Sequence, residues 1–241
     1  MKRAVLAIAL LALVIGCSRK QTKTAAPAPT AYGTAIVEAS GGKQLAASGE
    51  MLDQPVVVQV NDAQGNGVTG ALVEMHASTG VVVDPAEGLT DSSGQFTARV
   101  TLGGTAGRYQ ITGITRDKSG KSYELKVEEI ALDYQQVLGR QINQHYCSRC
   151  HDPESTPERV SNIDNLATKP HAFTDGETLN KISDADLTAI ISHGGAALNK
   201  SAEMPPYGYT LSKSDIQALL SYIRAIADPP APTKGVVYAK N

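Results

Sequence analysis

The pentapeptide Cys147-Ser148-Arg149-Cys150-His151 constrains this chain more than any other stretch. Two thiols three positions apart lie on one side of a helical turn. An imidazole four positions after the first thiol projects on that same side. A Cys-x-x-Cys pair alone can be a redox disulfide or half of a zinc site. The redox pair belongs in a βαβ context, which is missing here. A tetrahedral zinc site needs more Cys or His at paired spacing, yet the remaining cysteine of the chain is Cys17, far upstream. With His following at once, the motif reads as the attachment sequence for one covalent haem c. Cys147 and Cys150 each add to a vinyl group on one edge of the haem, and His151 reaches the iron.

The surroundings are helical. Tyr134, Val137, Leu138 and Ile142 recur at three- and four-residue steps and predict an amphipathic helix running toward Cys147. Ser183-x-x-Asp186 opens a second helix through Leu187 to Ile191, closed by Gly194. Ser212-x-x-Asp215 opens a third. Its apolar face is Ile216, Leu219, Leu220, Ile223 and Ile226, Tyr222 lies within it, and Pro229-Pro230 stops it.

Between the second and third helices runs Ala202-Glu203-Met204-Pro205-Pro206-Tyr207. Met204 sits in a polar, proline-bearing loop rather than in an apolar run, which favours a ligand role over a core role. A thioether is a soft ligand, and His/Met ligation raises the potential by favouring ferrous iron. The rivals for the sixth position are His145, His171 and His193. His171, in an irregular stretch, is the best alternative. His193 ends a helix, where capping is natural, and His145 is too close to the motif to fold over the opposite face.

In this order of elements, residues 133–230 resemble a class I cytochrome c domain. The resemblance implies that the first and last helices cross and that the haem sits edge-exposed in an apolar pocket. It also implies that Cys147 and Cys150 are the thioether attachments, His151 the proximal ligand and Met204 the distal one. Two features depart from the family. Asp152 stands where a Gly usually follows the His, and the Gly-Pro-x-Leu segment whose Pro carbonyl holds the proximal His is not obvious. Pro157 or Pro170 is the expected substitute.

The preceding residues, 33–132, have a different rhythm. Val56 to Val60 is a β-prone run, followed by the turn cluster Asn61 to Gly67. Ala71, Val73 and Met75 alternate with Leu72, Glu74 and His76, which puts His76 on the polar face as a solvated side chain. Phe96, Ala98, Val100 and Leu102 alternate cleanly after the turn Asp91-Ser92-Ser93-Gly94. Strands spaced about every ten residues predict an antiparallel β-sandwich. Val58-x-Val60-x-Asp62, Gly65-Asn66-Gly67-Val68-x-Gly70-Ala71, Thr90-Asp91-x-x-Gly94 and Gly107-x-Tyr109 resemble bacterial immunoglobulin-like domains of the invasin type, and the pattern also suits sandwich modules of the carboxypeptidase-regulatory type. The fold class is therefore two domains, an all-β immunoglobulin-like sandwich followed by an all-α cytochrome c fold.

At the N-terminus, Lys2 and Arg3 precede an apolar run from Ala4 to Ile15, roughly a dozen residues and too short to span a bilayer. Val14-Ile15-Gly16-Cys17 resembles the bacterial lipobox. That resemblance implies a signal peptide over residues 1–16 and a lipid on Cys17. Residues 17–32, rich in Lys, Thr, Ala and Pro, read as a flexible tether, and residues 231–241 as a C-terminal tail. A formal net charge of -2 gives no pull toward nucleic acid.

The expected function is a carrier of single electrons, not an enzyme in itself though open to being a redox-enzyme subunit. Its partners are redox proteins and, through the N-terminal lipid, a membrane. The expected location is the bacterial cell envelope, at the outer membrane, with the domains in the periplasm or at the cell surface. Two alternatives stand beside it. One is a haem enzyme or gas-binding sensor with an open or displaceable sixth position. The other is a structural or adhesive lipoprotein with an auxiliary haem domain. A spacer is the default role for the sandwich.

Overall fold

The computed structural model describes residues 27–152 and 160–231. The signal segment, Cys17, most of the expected tether, Pro157 and nearly all of the tail lie outside the described residues. Nine strands appear among the described residues: β1 (Ala35–Ser40), β2 (Leu45–Ala47), β3 (Val56–Asn61), β4 (Leu72–Ala77), β5 (Val82–Asp84), β6 (Glu87–Leu89), β7 (Gln95–Thr101), β8 (Gly107–Arg116) and β9 (Ser122–Leu132). They form two sheets, β1-β3-β7-β5 and β2-β9-β8-β4-β6. The pairs are antiparallel except β2, which runs parallel to β9 with Leu45 opposite Ile130. This is an immunoglobulin-like sandwich.

The alternation in sequence is what two packed sheets require. Val56, Val58 and Val60 of β3 and Phe96, Ala98 and Val100 of β7 bury themselves against Val73, Ile111 and Val127 of the other sheet. Each large apolar side chain buried this way contributes about 1.5–3 kcal/mol. His76 is exposed beside Glu74. Three turns share one design, Asp-x-x-Gly. Asp62, Asp91 and Asp117 each accept backbone N–H bonds from the residues two and four further on. In each, the glycine third after the Asp takes a positive φ, at Gly65, Gly94 and Gly120.

The sandwich starts before residue 33. The Thr30 and Ala31 amides donate to the Gly70 carbonyl at 2.9 and 3.3 Å, so the end of the expected tether is pinned to the turn ahead of β4. At the other end β9 stops at Leu132, and Asp133 at once caps helix α1 (Tyr134–Ile142) in a capping box with Gln136. The helical half continues with α2 (Ser148–His151), α3 (Gly176–Leu179), α4 (Asp184–His193) and α5 (Lys213–Ile226).

The halves are packed together. Leu132 joins Tyr222 and Ile226 of α5 in one buried cluster, with Leu45 and Ile130 of the sandwich against it. Arg140 of α1 donates to the Leu45 carbonyl at 2.9 Å. Arg108 of β8 donates to the carbonyls of Ala227, at 2.6 Å, and Ala225, at 3.3 Å, at the end of α5. A cation at a helix C-terminus meets the negative end of its dipole.

One core position of the sandwich is ionisable. Glu129 of β9 is fully buried on the inward face that Val127 and Ala131 share. The Gln44 amide donates to its Oε2 at 2.6 Å, while Oε1 has no partner among the described residues. Burial raises its carboxyl to about 7, with the Glu38 and Glu128 carboxylates adding to the rise against the Gln44 N–H. A folded-state value above the unfolded one makes stability greatest at low pH and erodes it as pH climbs through about 7. Urea unfolding at about pH 5 and about pH 8 is therefore expected to show a sandwich less stable at the higher pH, by on the order of 3 kcal/mol at most. Glu129→Gln should flatten that difference; an equal pH slope in both proteins would refute the assignment.

Candidate haem cleft

The motif is positioned by a close crossing of α1 and α5. A Cβ at Gly139 would lie 2.1 Å from the Ala218 carbonyl oxygen and 2.7 Å from the Tyr222 Cβ, so the helices touch backbone to backbone there. Past Ile142 the α1 spiral widens into a π-helical turn over Asn143–Cys147, which the Ser148 amide closes onto the Asn143 carbonyl. The expected single helix toward Cys147 is thus interrupted. The wider turn swings Cys147 inward, where it is buried, and α2 then carries Cys150 and His151. Asp152 leaves α2 at φ -114 and ψ 116, an extended conformation open to any residue, so the missing glycine is not needed.

Cys147, Cys150, His151 and Met204 all line one cleft of about 800 Å³. Leu179, Leu187, Ile190, Ile191, Leu219 and Ile223 make its walls apolar. The α3–α4 wall is tied to α5 by Arg224, which donates to the carbonyls of Leu179 and Ile182, each at 2.6 Å, and to Asp184 at 2.8 Å.

His151 is held on two sides. Its Nδ1 lies 2.8 Å from the His171 carbonyl oxygen. A carbonyl only accepts, so Nδ1 carries the proton and Nε2 keeps a lone pair for a metal. The Phe173 ring stacks on the imidazole, with centroids 4.5 Å apart and planes inclined at 26°. Burial also pushes the His151 pKa below the usual histidine range, which favours the neutral ring. The carbonyl that grips the ring is therefore that of His171, one residue after Pro170, and not that of Pro170 itself, while Pro157 lies outside the described residues. That stretch has no periodicity from which its backbone could be aligned with His151.

The thiols are free, and burial pushes that of Cys147 up to about 12. Thiol–disulfide chemistry needs a thiolate, which this environment suppresses. Among the described residues, no cluster of three or more His, Cys, Asp or Glu is arranged to hold a metal ion. The deep burial of the Cys147 thiol disfavours the redox-pair reading of the motif.

Met204 enters from the loop that follows α4. Its carbonyl accepts from the Gly195 amide at 3.0 Å, and the Tyr207 and Gly208 amides donate to Ile191 and Ser192, each at 2.9 Å. Gly194, at φ 79, closes α4 where a Cβ would press on the Met204 carbonyl. The Tyr207 hydroxyl donates to the Tyr146 carbonyl at 3.1 Å, clasping the methionine loop to the motif.

The histidine rivals are placed differently. His171 is on the cleft margin, but its carbonyl serves His151 Nδ1 and its ring pairs with Asp175 at 3.0 Å, behind the imidazole rather than across from it. His145 and His193 are exposed and do not line the cleft. Two thiols, an imidazole whose Nδ1 is committed to a carbonyl, a thioether and apolar walls in one cleft together fit a covalently attached haem. Phe173 was not singled out in the sequence, because it lies in the same aperiodic stretch.

Comparison with known proteins agrees for this half. Residues 135–223 match the family model described as Cytochrome C oxidase, cbb3-type, subunit III. The C-terminal half is a cytochrome c domain, the part of a c-type cytochrome that carries covalently bound haem c. The described residues thus comprise an immunoglobulin-like sandwich fused to a cytochrome c domain. No curated protein matches it. Among solved structures it is similar to the D00-D0 domain of intimin, at 18% identity over 41% of this chain and 46% of that one, TM-score 0.31. It is also similar to the Yersinia pseudotuberculosis adhesin InvE, at 17% identity over 41% and 32%, TM-score 0.32. A third is invasin, described as a bacterial integrin-binding protein, at 19% identity over 40% and 19%, TM-score 0.30. The chain spans less than half of each of these, and the sandwich assignment rests on its own strand order.

The α1–α5 contact makes a prediction with a definite sign. In an open helix Gly→Ala stabilises by about 1 kcal/mol. Here the new methyl must push α5 away, so Gly139→Ala should destabilise the helical domain by about 1–3 kcal/mol in thermal unfolding of the haem-loaded protein. A neutral or stabilising result would mean the helices do not cross this closely.

Proposed function

We propose that this protein is a lipid-anchored, single-haem electron carrier of the bacterial cell envelope. Cys147 and Cys150 would hold haem c covalently, and His151 and Met204 would be its iron ligands. The observation that carries the reading is the pairing, in one apolar cleft, of His151, whose Nδ1 is committed to the His171 carbonyl, and Met204 on a pinned loop. When bound, the haem supplies a one-electron ferric–ferrous couple.

The residues divide the remaining work. The His171 carbonyl makes the His151 imidazole a more basic ligand and fixes its plane. The Met204 thioether opposes this by favouring the ferrous state. The apolar walls exclude water, so the charge change on electron transfer is met by fixed groups rather than solvent. Cys17 would hold the unit at a membrane, where effective concentration toward an anchored redox partner is high. The same arrangement serves a free-standing carrier or a subunit of a larger redox enzyme.

The ferric absorption spectrum tests the ligand set. The wild-type protein should show the far-red charge-transfer band of methionine-bound ferric iron. Met204→Ala should abolish it, turn the ferric haem high-spin and lower the reduction potential. A wild-type haem that is already high-spin and binds small ligands readily would instead make this a haem enzyme or a gas sensor.

A further inference from the structure

The two groups that fix His151 belong to one short segment, and the sandwich reaches that segment. His171 supplies the carbonyl and Phe173 the stacked ring. Phe173 also packs against the Leu132–Tyr222–Ile226 cluster, in which Leu132 comes from β9. The segment is sewn to the chain beyond α5. The Asp228 amide donates to Thr174 at 2.9 Å, and the Gly176 amide to Asp228 at 3.0 Å. The approach is close enough that a Cβ at Gly176 would sit 2.1 Å from the Pro229 carbonyl oxygen. The start of this 225–229 stretch is gripped by Arg108 through the carbonyls of Ala225 and Ala227. The Arg108 side chain is largely buried and is oriented from its far side by Glu128.

We infer that the β-sandwich is part of the proximal support of the haem: Arg108 and Leu132 hold the 171–176 segment against His151, which makes Arg108 and Phe173 positioning residues for the iron ligand. The inference rests on His151 binding iron. The mechanism is the strength of the Nδ1–H···O=C bond. A taut segment keeps the imidazole basic and the ferric state favoured, and a slack one weakens that bond and raises the potential. The sandwich is then more than a spacer.

The experiment compares three variants of the full haem-loaded chain with the wild type by redox titration and amide hydrogen exchange. Arg108→Met keeps the side-chain stem and removes the guanidinium. Phe173→Leu removes the stack. Arg116→Met is the control, since Arg116 lies at the opposite end of β8 and, among the described residues, pairs with Glu74 at 2.5 Å. Arg108→Met and Phe173→Leu should both raise the reduction potential, and Arg116→Met should leave it unchanged. The Gly176 and Asp228 amides should exchange about tenfold faster or more in Arg108→Met. If Arg108→Met does not fold, Arg108→Lys, with a single donor head, should give the same shifts reduced in size. An unchanged potential and unchanged exchange in the Arg108 variant would overturn the inference while leaving the carrier reading intact. A wild-type spectrum without a histidine-ligated haem would instead remove the carrier reading, and this inference with it.

Discussion

The backbones of α1 and α5 meet at Gly139, and much of the molecule is referred to that contact. It fixes where the chain leaves α1, and so where the π-helical turn presents Cys147 to the cleft. It also fixes α5, whose Leu219 and Ile223 line the cleft wall and whose last carbonyls receive Arg108 from the sandwich. Because β9 runs into α1 through Asp133 alone, the sheet and the crossing are nearly one element. Neither half can shift far without disturbing the other.

The cleft works by removing choices from its polar groups. His151 has one nitrogen committed to a carbonyl and the other left as a lone pair. Cys147 is too deeply buried to ionise readily, so it is unsuited to disulfide exchange. The methionine loop, which could otherwise swing as loops do, is stitched to α4 by backbone bonds and to the motif by Tyr207. Such prior ordering suits a cofactor whose task is to change charge without changing shape.

How much of this was legible in the sequence follows from which interactions are local. The alternation in β3 and β7, the Asp-x-x-Gly turns and the serine caps of α4 and α5 each depend on residues within a few positions, and pattern reveals them. The attachment motif is local in the same sense. The inward place of Glu129 was also readable, since it shares the alternation of Val127 and Ala131, but a carboxyl in that register does not look like core. Of the two prolines expected to grip His151, Pro170 misses by one residue and Pro157 lies outside the described residues, because a backbone carbonyl leaves no residue-type signature and the segment before it is irregular. Phe173 and Arg108 act across the junction of two domains. No spacing along the chain encodes a bond between residue 108 and residue 227, so only the folded arrangement exposes it.

A single haem joined covalently to this chain at Cys147 and Cys150 is the attachment on which every proposed role of the cleft depends. It is tested most directly by the intact mass, under denaturing conditions, of protein made in cells that mature c-type cytochromes. The expected species is heavier than the polypeptide by one haem, with the addition lost when both cysteines are replaced by serine. A haem-free polypeptide whose Cys147 and Cys150 have closed on each other as a disulfide would contradict it.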